Sequence, residues 1–299
     1  MSVPHRPFAL AALVALRPKQ WTKNALLFAA LIFSAHFTQV DSLAKAGLAF
    51  LVFCLLSSTG YIYNDLGDVE SDRKHPKKLH RPLAAGHLGA RAAWAIMAVA
   101  TATALWLASL LGVTFVMVAL AYFATTLSYS LYFKNFVILD VMVLASCYIW
   151  RAVAGAVAID VRISPWLLVC TAFGALFLGF NKRRGEILLL EGKVAGTRKA
   201  LAHYSPAMLQ EFQAITTGGT IISYALYTVQ SPNPWLGLTL PYVLYAVFRY
   251  IYLIDQKGEG AAPDETLLRD RPIQVTAILF VATAAAVLLL VPAGVPPPR

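Results

Sequence analysis

Long apolar runs separated by short polar ones govern this chain. A helix needs roughly 20 residues to cross ~30 Å of hydrocarbon, and nine runs approach that length, near residues 18–37, 43–63, 91–111, 113–133, 137–159, 164–180, 207–229, 235–254 and 273–292. The pattern predicts an all-α membrane protein, a nine-transmembrane-helix bundle. The polar connections are unequal. Lys and Arg crowd the N-terminal arm (Arg6, Arg17, Lys19, Lys23) and then every second connection: Arg73, Lys74, Lys77, Lys78, Arg81 and Arg91; Lys134; Lys182, Arg183, Arg184, Lys193, Arg198 and Lys199; Lys257, Arg269 and Arg271. The other side carries only Lys45, Arg162 and Arg299. Cytoplasmic loops are the ones enriched in Lys and Arg, so the N-terminus is expected in the cytoplasm and the C-terminus outside.

Composition excludes the soluble alternative. Of 299 residues, 59% are hydrophobic and only 13% charged, with a mean hydropathy of +0.64. The net charge of +10 is accounted for by the loop asymmetry, and no nucleic-acid partner is expected; bilayer lipids are. Phe8 to Leu16 is too short to span and leads into Arg17-Pro18, not a small-residue cleavage site, so the 1–17 arm reads as interfacial. Cys54, Cys147 and Cys170 lie singly inside predicted spans and read as packing residues. No insertion is large enough for a soluble domain. Residues 1–299 therefore form one integral-membrane domain, with a central cavity open to the cytoplasm and active-site loops at 64–90 and 181–206.

The candidate chemistry begins where the second span ends. Asn64-Asp65-Leu66-Gly67-Asp68-Val69-Glu70-Ser71-Asp72 places Asp65, Asp68 and Asp72 within about 60° of one another on a helix, with Asn64 at the edge of that arc. Carboxylates beside a span must face a bundle interior or a wet cavity. Hard oxygen ligands without His or Cys suit Mg²⁺, with Mn²⁺ as the alternative. Cations follow at once: Arg73, Lys74, Lys77, Lys78, His80 and Arg81. Metal-binding and phosphate-binding groups in one loop describe a site for a metal-bound diphosphate.

Other polar groups cluster at the same mouths. Asn181-Lys182-Arg183-Arg184-Gly185-Glu186 leaves the sixth span, with Glu186 placed to orient a cation and Glu191 as a second candidate. Asp140 and Arg151, 11 residues and about three turns apart, share a face of the fifth span. An intramembrane arginine needs a partner or a ligand, a lipid phosphate being one. Tyr129-Ser130 and Lys134 place a hydroxyl and an ammonium before that span. Lys23 and Asn24 follow Trp21 at the start of the first, while Leu268-Arg269-Asp270-Arg271-Pro272 reads as a cap on the last.

Together these residues resemble the UbiA superfamily of intramembrane prenyltransferases, whose Asn-Asp-x-x-Asp-x-x-x-Asp signature Asn64, Asp65, Asp68 and Asp72 match. Tyr129-Ser130 and Lys134 are similar to its tyrosine-lysine element. Where aromatic prenyltransferases of the superfamily carry a second aspartate-rich motif, this chain has Lys182, Arg183 and Arg184. That basic element resembles the decaprenyl-phosphate phosphoribosyltransferase branch. The resemblance implies transfer of 5-phosphoribose from 5-phosphoribosyl-1-diphosphate to a polyprenyl phosphate at the cytoplasmic face of the inner membrane. The product would be a lipid-linked pentose precursor, an arabinose donor for cell-envelope glycans. Asp65, Asp68 and Asp72 then hold the metal and the diphosphate. The ribose 5-phosphate goes to part of the Arg73, Lys77 and Arg81 loop, and the lipid phosphate to Lys23, Lys134, Lys182, Arg183 or Arg151. Competing readings are an aromatic or haem prenyltransferase with a prenyl diphosphate donor, and a cation or phosphate-metabolite transporter. A homo-oligomer is left open.

Overall fold

A computed structural model of the chain describes residues 7–74, 78–189, 199–257, 266 and 268–291. Its described elements are helical: α1 (Phe8–Ala15), α2 (Phe28–Phe33), α3 (Val40–Gly67), α4 (Val69–Lys74), α5 (Ala90–Ser109), α6 (Val113–Leu131), α7 (Leu139–Ala158), α8 (Pro165–Leu189), α9 (Pro206–Gln230), α10 (Leu240–Lys257) and α11 (Arg271–Leu290), with short 3-10 turns between them. Among the described residues, seven helices are long and apolar enough to cross a membrane: α3, α5, α6, α7, α8, α10 with its preceding turn, and α11. The protein is thus a multi-span membrane protein. Its outer faces carry large apolar side chains such as Val40, Val99, Trp106, Val113, Ile222 and Leu290, as a surface in contact with lipid must.

Two expected spans differ from that list. Helix α9 covers the expected 207–229 with 25 residues, but Gln210, Glu211, Gln213, Thr216 and Thr217 make its first half too polar to join the seven. The expected 18–37 span is broken. Residues Pro18–Leu27 form a 3-10 segment, Phe28–Phe33 a short helix, and Arg17 before Pro18 takes a left-handed φ of 53°. Proline disfavours the right-handed helical region for the residue before it, and Lys19, Gln20, Thr22, Lys23 and Asn24 leave this stretch little apolar surface to bury.

A third boundary also moves. The sixth connection was expected as a loop from residue 181, yet α8 runs unbroken through Leu189. Asn181 donates back to the Phe177 carbonyl at 2.8 Å, and Arg183 pairs with Glu186 one turn on at 2.8 Å, so polar side chains continue the helix instead of ending it.

Packing is close because small residues line the contacts, the usual device where lipid supplies no hydrophobic drive between helices. Ala46, Ala49, Ser57, Ser58 and Gly60 face inward from α3, and α8 lies along α9. A Cβ on Gly155 would overlap the Leu27 carbonyl, so glycine alone lets the 3-10 segment seat against α7. Leu27, Phe53, Leu56, Phe115 and Tyr122 form the core beside this contact. Ser205 and Asp270 cap α9 and α11 by accepting from Met208 N and Ile273 N, each with proline in the first turn. Asp270 also accepts from Arg249 at 2.9 Å, a structural role consistent with the expected cap.

Candidate active site

The helices enclose a cavity of about 320 Å³. Its mouth carries Arg17, Lys23, Asn64, Arg81 and Lys182; its wall carries Tyr61, Thr126, Tyr129, Ser130 and Gly179; and Tyr122, Cys147, Tyr148 and Arg151 lie deeper along α6 and α7. Leu144, Ala175 and Leu178 add apolar surface to this otherwise mostly polar and aromatic lining.

At the mouth the acidic stripe is held by cations. Asp65 is the last buried residue of α3, and the helix ends at Asp68, whose side chain accepts from Asn64 Nδ2 at 2.9 Å and Lys134 Nζ at 3.0 Å. Asp65 Oδ1 accepts from Arg17 Nη2 at 2.5 Å and Arg81 Nη1 at 2.9 Å. The same Arg81 Nη1 reaches Asp72 Oδ2 at 2.6 Å. One guanidinium thus joins two buried carboxylates, 3% and 1% exposed. Stacking over the Tyr61 ring at 5.0 Å steadies Arg17. Asp72 Oδ1 is buried without a hydrogen-bond partner, and Lys78 Nζ comes no nearer than 3.9 Å.

A hard carboxylate oxygen left without a donor beside a second buried carboxylate is the chemistry a divalent cation satisfies. Among the described residues, no three His, Cys, Asp or Glu side chains converge; the carboxylates meet arginine and lysine instead. The donor types fit a hard metal ion, and Arg81 occupies the space between two of them.

A second polar cluster sits behind the cavity wall. Arg183, 1% exposed, donates through Nε to Asp140 Oδ2 at 2.7 Å, through Nη1 to Glu186 at 2.8 Å and through Nη2 to Tyr129 at 3.4 Å. Tyr204 donates to Asp140 Oδ1 at 2.7 Å and accepts from Ile138 N at 2.7 Å. Burial, reinforced by the Asp140 carboxylate, pushes the Tyr204 hydroxyl above its ordinary value, which keeps it a neutral donor. Two carboxylates therefore balance the Arg183 charge, and Tyr129 links it to the cavity.

The third cluster lies deep in α7. Arg151, 4% exposed, donates to Asn24 Oδ1 at 2.7 Å, to the Cys147 carbonyl at 2.8 Å and to the Tyr122 hydroxyl at 2.9 Å. The Tyr122 and Tyr148 rings flank its guanidinium at 4.9 and 5.3 Å. Asn24 is fixed in turn by donating to Cys54 Sγ and Ser57 Oγ.

Set against the sequence, the fold brings Lys23, Asn64, Arg81, Tyr129, Arg151 and Lys182 to one cavity and Asp65, Asp68, Asp72 and Lys134 to its rim. Arg73 is a correction, because its Nε donates to the Ala84 carbonyl at 3.2 Å and its side chain is exposed, away from the cavity. Arg183 is another: it is buried against carboxylates instead of offered to a ligand. Asp140 and Arg151 share a helix but not a partner. Lys77 and Glu191 lie outside the described residues. Arg17, Tyr61, Tyr122 and Tyr148 were not singled out as site residues; for Tyr122 and Tyr148, placement near the middle of apolar spans was the available signal.

Comparison with known proteins agrees with this architecture. The UbiA prenyltransferase family matches residues 25–268. The decaprenyl-phosphate phosphoribosyltransferase of Corynebacterium glutamicum is 35% identical over 300 aligned residues, covering 97% of this chain and 90% of that protein. The protein of the same name from Mycobacterium tuberculosis is 33% identical over 279 residues, covering 91% and 92%. Among solved structures, a UbiA homolog from Archaeoglobus fulgidus bound to GPP and Mg²⁺ aligns with a TM-score of 0.75 at 21% identity, covering 93% of this chain and 99% of that one, a likeness of fold.

Proposed function

The chain belongs to the UbiA prenyltransferase family, and from that premise we propose that it transfers 5-phosphoribose from 5-phosphoribosyl-1-diphosphate to a polyprenyl phosphate. The observation that carries this reading is the charge of the cavity. Arg17, Lys23, Arg81, Lys182 and Arg151 all line it, and α8 contributes Lys182 where a second acidic motif would serve a prenyl diphosphate donor. Such a lining suits two substrates that both bear phosphate.

In the reaction an oxygen of the lipid phosphate attacks C1 of the sugar while the C1–O bond to diphosphate breaks. The products are polyprenyl-phosphoryl-5-phosphoribose and diphosphate, and no water enters. Asp65, Asp68 and Asp72 are the residues that would hold Mg²⁺ or Mn²⁺. A divalent ion bound there supplies neutralisation of the departing diphosphate. Arg81 and Arg17, already at the rim, are placed to take up diphosphate oxygens, and the oxocarbenium-like sugar is stabilised by position and charge, not by a protein nucleophile. Lys134 and Lys23 stand at the same opening for the acceptor. The wider setting we propose is the inner membrane, with nine crossings, the N-terminus and the cavity on the cytoplasmic side, and residues 1–299 acting as one domain. The product would serve as a precursor of an arabinose donor for cell-envelope glycans.

The test is an assay of the purified protein with both substrates. Diphosphate release from 5-phosphoribosyl-1-diphosphate only when polyprenyl phosphate is present is the expected result. Prenylation of a phenolic acid from a prenyl diphosphate, without that release, overturns the reading.

A further inference from the structure

Among the described residues, Arg151 is a buried arginine without a carboxylate partner. It lies 12 residues into α7, about 18 Å along the helix axis at 1.5 Å per residue, and is 4% exposed. Its three hydrogen bonds go to an amide, a backbone carbonyl and a phenol, all neutral. Among the described residues no carboxylate pairs with it, unlike Arg183, which has Asp140 and Glu186. A buried guanidinium is tolerated when an anion compensates it, and an intramembrane one by default marks a ligand.

Its neighbours aim it. Asn24 is held from α3 by Cys54 and Ser57 and grips Nε, while Cys147 and Tyr122 each take one N–H from the two terminal nitrogens. A guanidinium carries more N–H donors than these three bonds use. The remaining donors belong to a side chain that lines the cavity together with Tyr122, Tyr148 and Cys147. The Tyr122 and Tyr148 ring centroids lie 4.9 and 5.3 Å from its guanidinium carbon, and a guanidinium fork matches two oxygens of a phosphate monoester.

We propose that Arg151, with the Tyr122 hydroxyl beside it, is the receptor for a phosphate monoester at the deep end of the cavity. The inference deepens the transfer reading above and rests on it, because both proposed substrates bear such a group: the 5-phosphate of the sugar donor and the phosphate of the lipid acceptor. The sequence pointed the 5-phosphate to part of the Arg73, Lys77 and Arg81 loop; of these, Arg73 donates to the Ala84 carbonyl and Arg81 is held at the mouth by Asp65 and Asp72, whereas Arg151 lines the cavity at depth.

Steady-state kinetics on the full-length Arg151→Gln variant distinguish the two sources. A KM rise of about 10- to 100-fold for one substrate alone is expected; a rise for the donor assigns the 5-phosphate, and a rise for the acceptor assigns the lipid phosphate. Equilibrium binding supplies the control. The variant and the parent should bind the same ligand lacking that phosphate, ribosyl-1-diphosphate or the polyprenol, equally well. Equal KM rises for both substrates, no rise for either, or the same loss with and without the phosphate overturns the inference. Should the glutamine variant fail to fold, Arg151→Lys carries the test: it keeps the charge but not the fork, a smaller one-substrate rise is expected, and unchanged KM values for both substrates overturn the proposal. An inactive parent would count against the transfer reading itself, whereas an active parent with an indifferent Arg151 counts only against this site.

Discussion

Arg183 Nε donates to Asp140 Oδ2 at 2.7 Å, and both side chains are at most 2% exposed. The pair ties the first turn of α7 to the last turns of α8, and its partner Tyr129 lines the cavity. Removing Arg183 leaves Asp140 buried without its cation, a loss of about 3–5 kcal/mol. Arg183→Met is predicted to lower stability by that amount and Asp140→Asn by less, because Glu186 still pairs with Arg183, with the double variant recovering part of the loss. Denaturation of the detergent-solubilised protein checks this, and single variants as stable as the parent would sink it.

Substitution at the acidic rim should separate chemistry from folding. Asp72→Asn and Asp65→Asn are predicted to lower kcat by about 10²- to 10³-fold. A chelator is expected to abolish diphosphate release, and Mg²⁺ to restore it. Release that continues undiminished in the chelator would contradict the metal assignment.

Arg73 and Arg81 stand in one loop yet face different ways. Arg81→Ala removes the guanidinium shared by Asp65 and Asp72 and should raise the donor KM by about tenfold or more. Arg73→Ala deletes a part-buried bond to the Ala84 carbonyl outside the cavity lining, and its KM should stay within about threefold of the parent. Comparable losses in the two variants would show that the loop, not the cavity lining, binds donor.

Gly155→Ala probes the seat of the broken N-terminal segment. Its Cβ would overlap the Leu27 carbonyl, backbone that cannot rotate aside, so the segment must shift at a cost of about 1–3 kcal/mol. Asn24 lies on that segment and would move off Arg151. A fall in thermal stability with a matching loss of activity is expected, and a variant with parental stability and kinetics would contradict the contact.

The acidic residues were legible because charges are rare in this chain, but the single helical arc expected for Asp65, Asp68 and Asp72 was not, because α3 ends at Gly67 and Asp68 stands between it and α4. The apolar runs likewise marked the helices. What escaped was anything decided by partners far along the chain. Asp140 and Arg151 share a helix face, but their partners are Arg183, 43 residues from Asp140, and Asn24, 127 residues from Arg151. The break at Pro18–Leu27 escaped for another reason: flanked by Phe28–Phe33, the segment passes for one end of a long apolar run. The continuation of α8 past residue 181 depended on burying Arg183, and burial of a cation is not written in local hydropathy.

Lys182, Arg183 and Arg184 are successive residues of one helix, each turned ~100° from the last. Lys182 lines the cavity, Arg183 is locked into the core, and Arg184 reaches Gln213 on α9 and Asp255 on α10. Three adjacent cations thus carry three separate assignments, set by rotational phase and not by charge. Inserting a single residue between Gly179 and Asn181 would advance that phase, presenting a different cation to each surrounding and turning a cavity-lining lysine, a core tether and a helix clamp into one another's misfits. Composition would stay almost unchanged while the meaning of the triplet was lost.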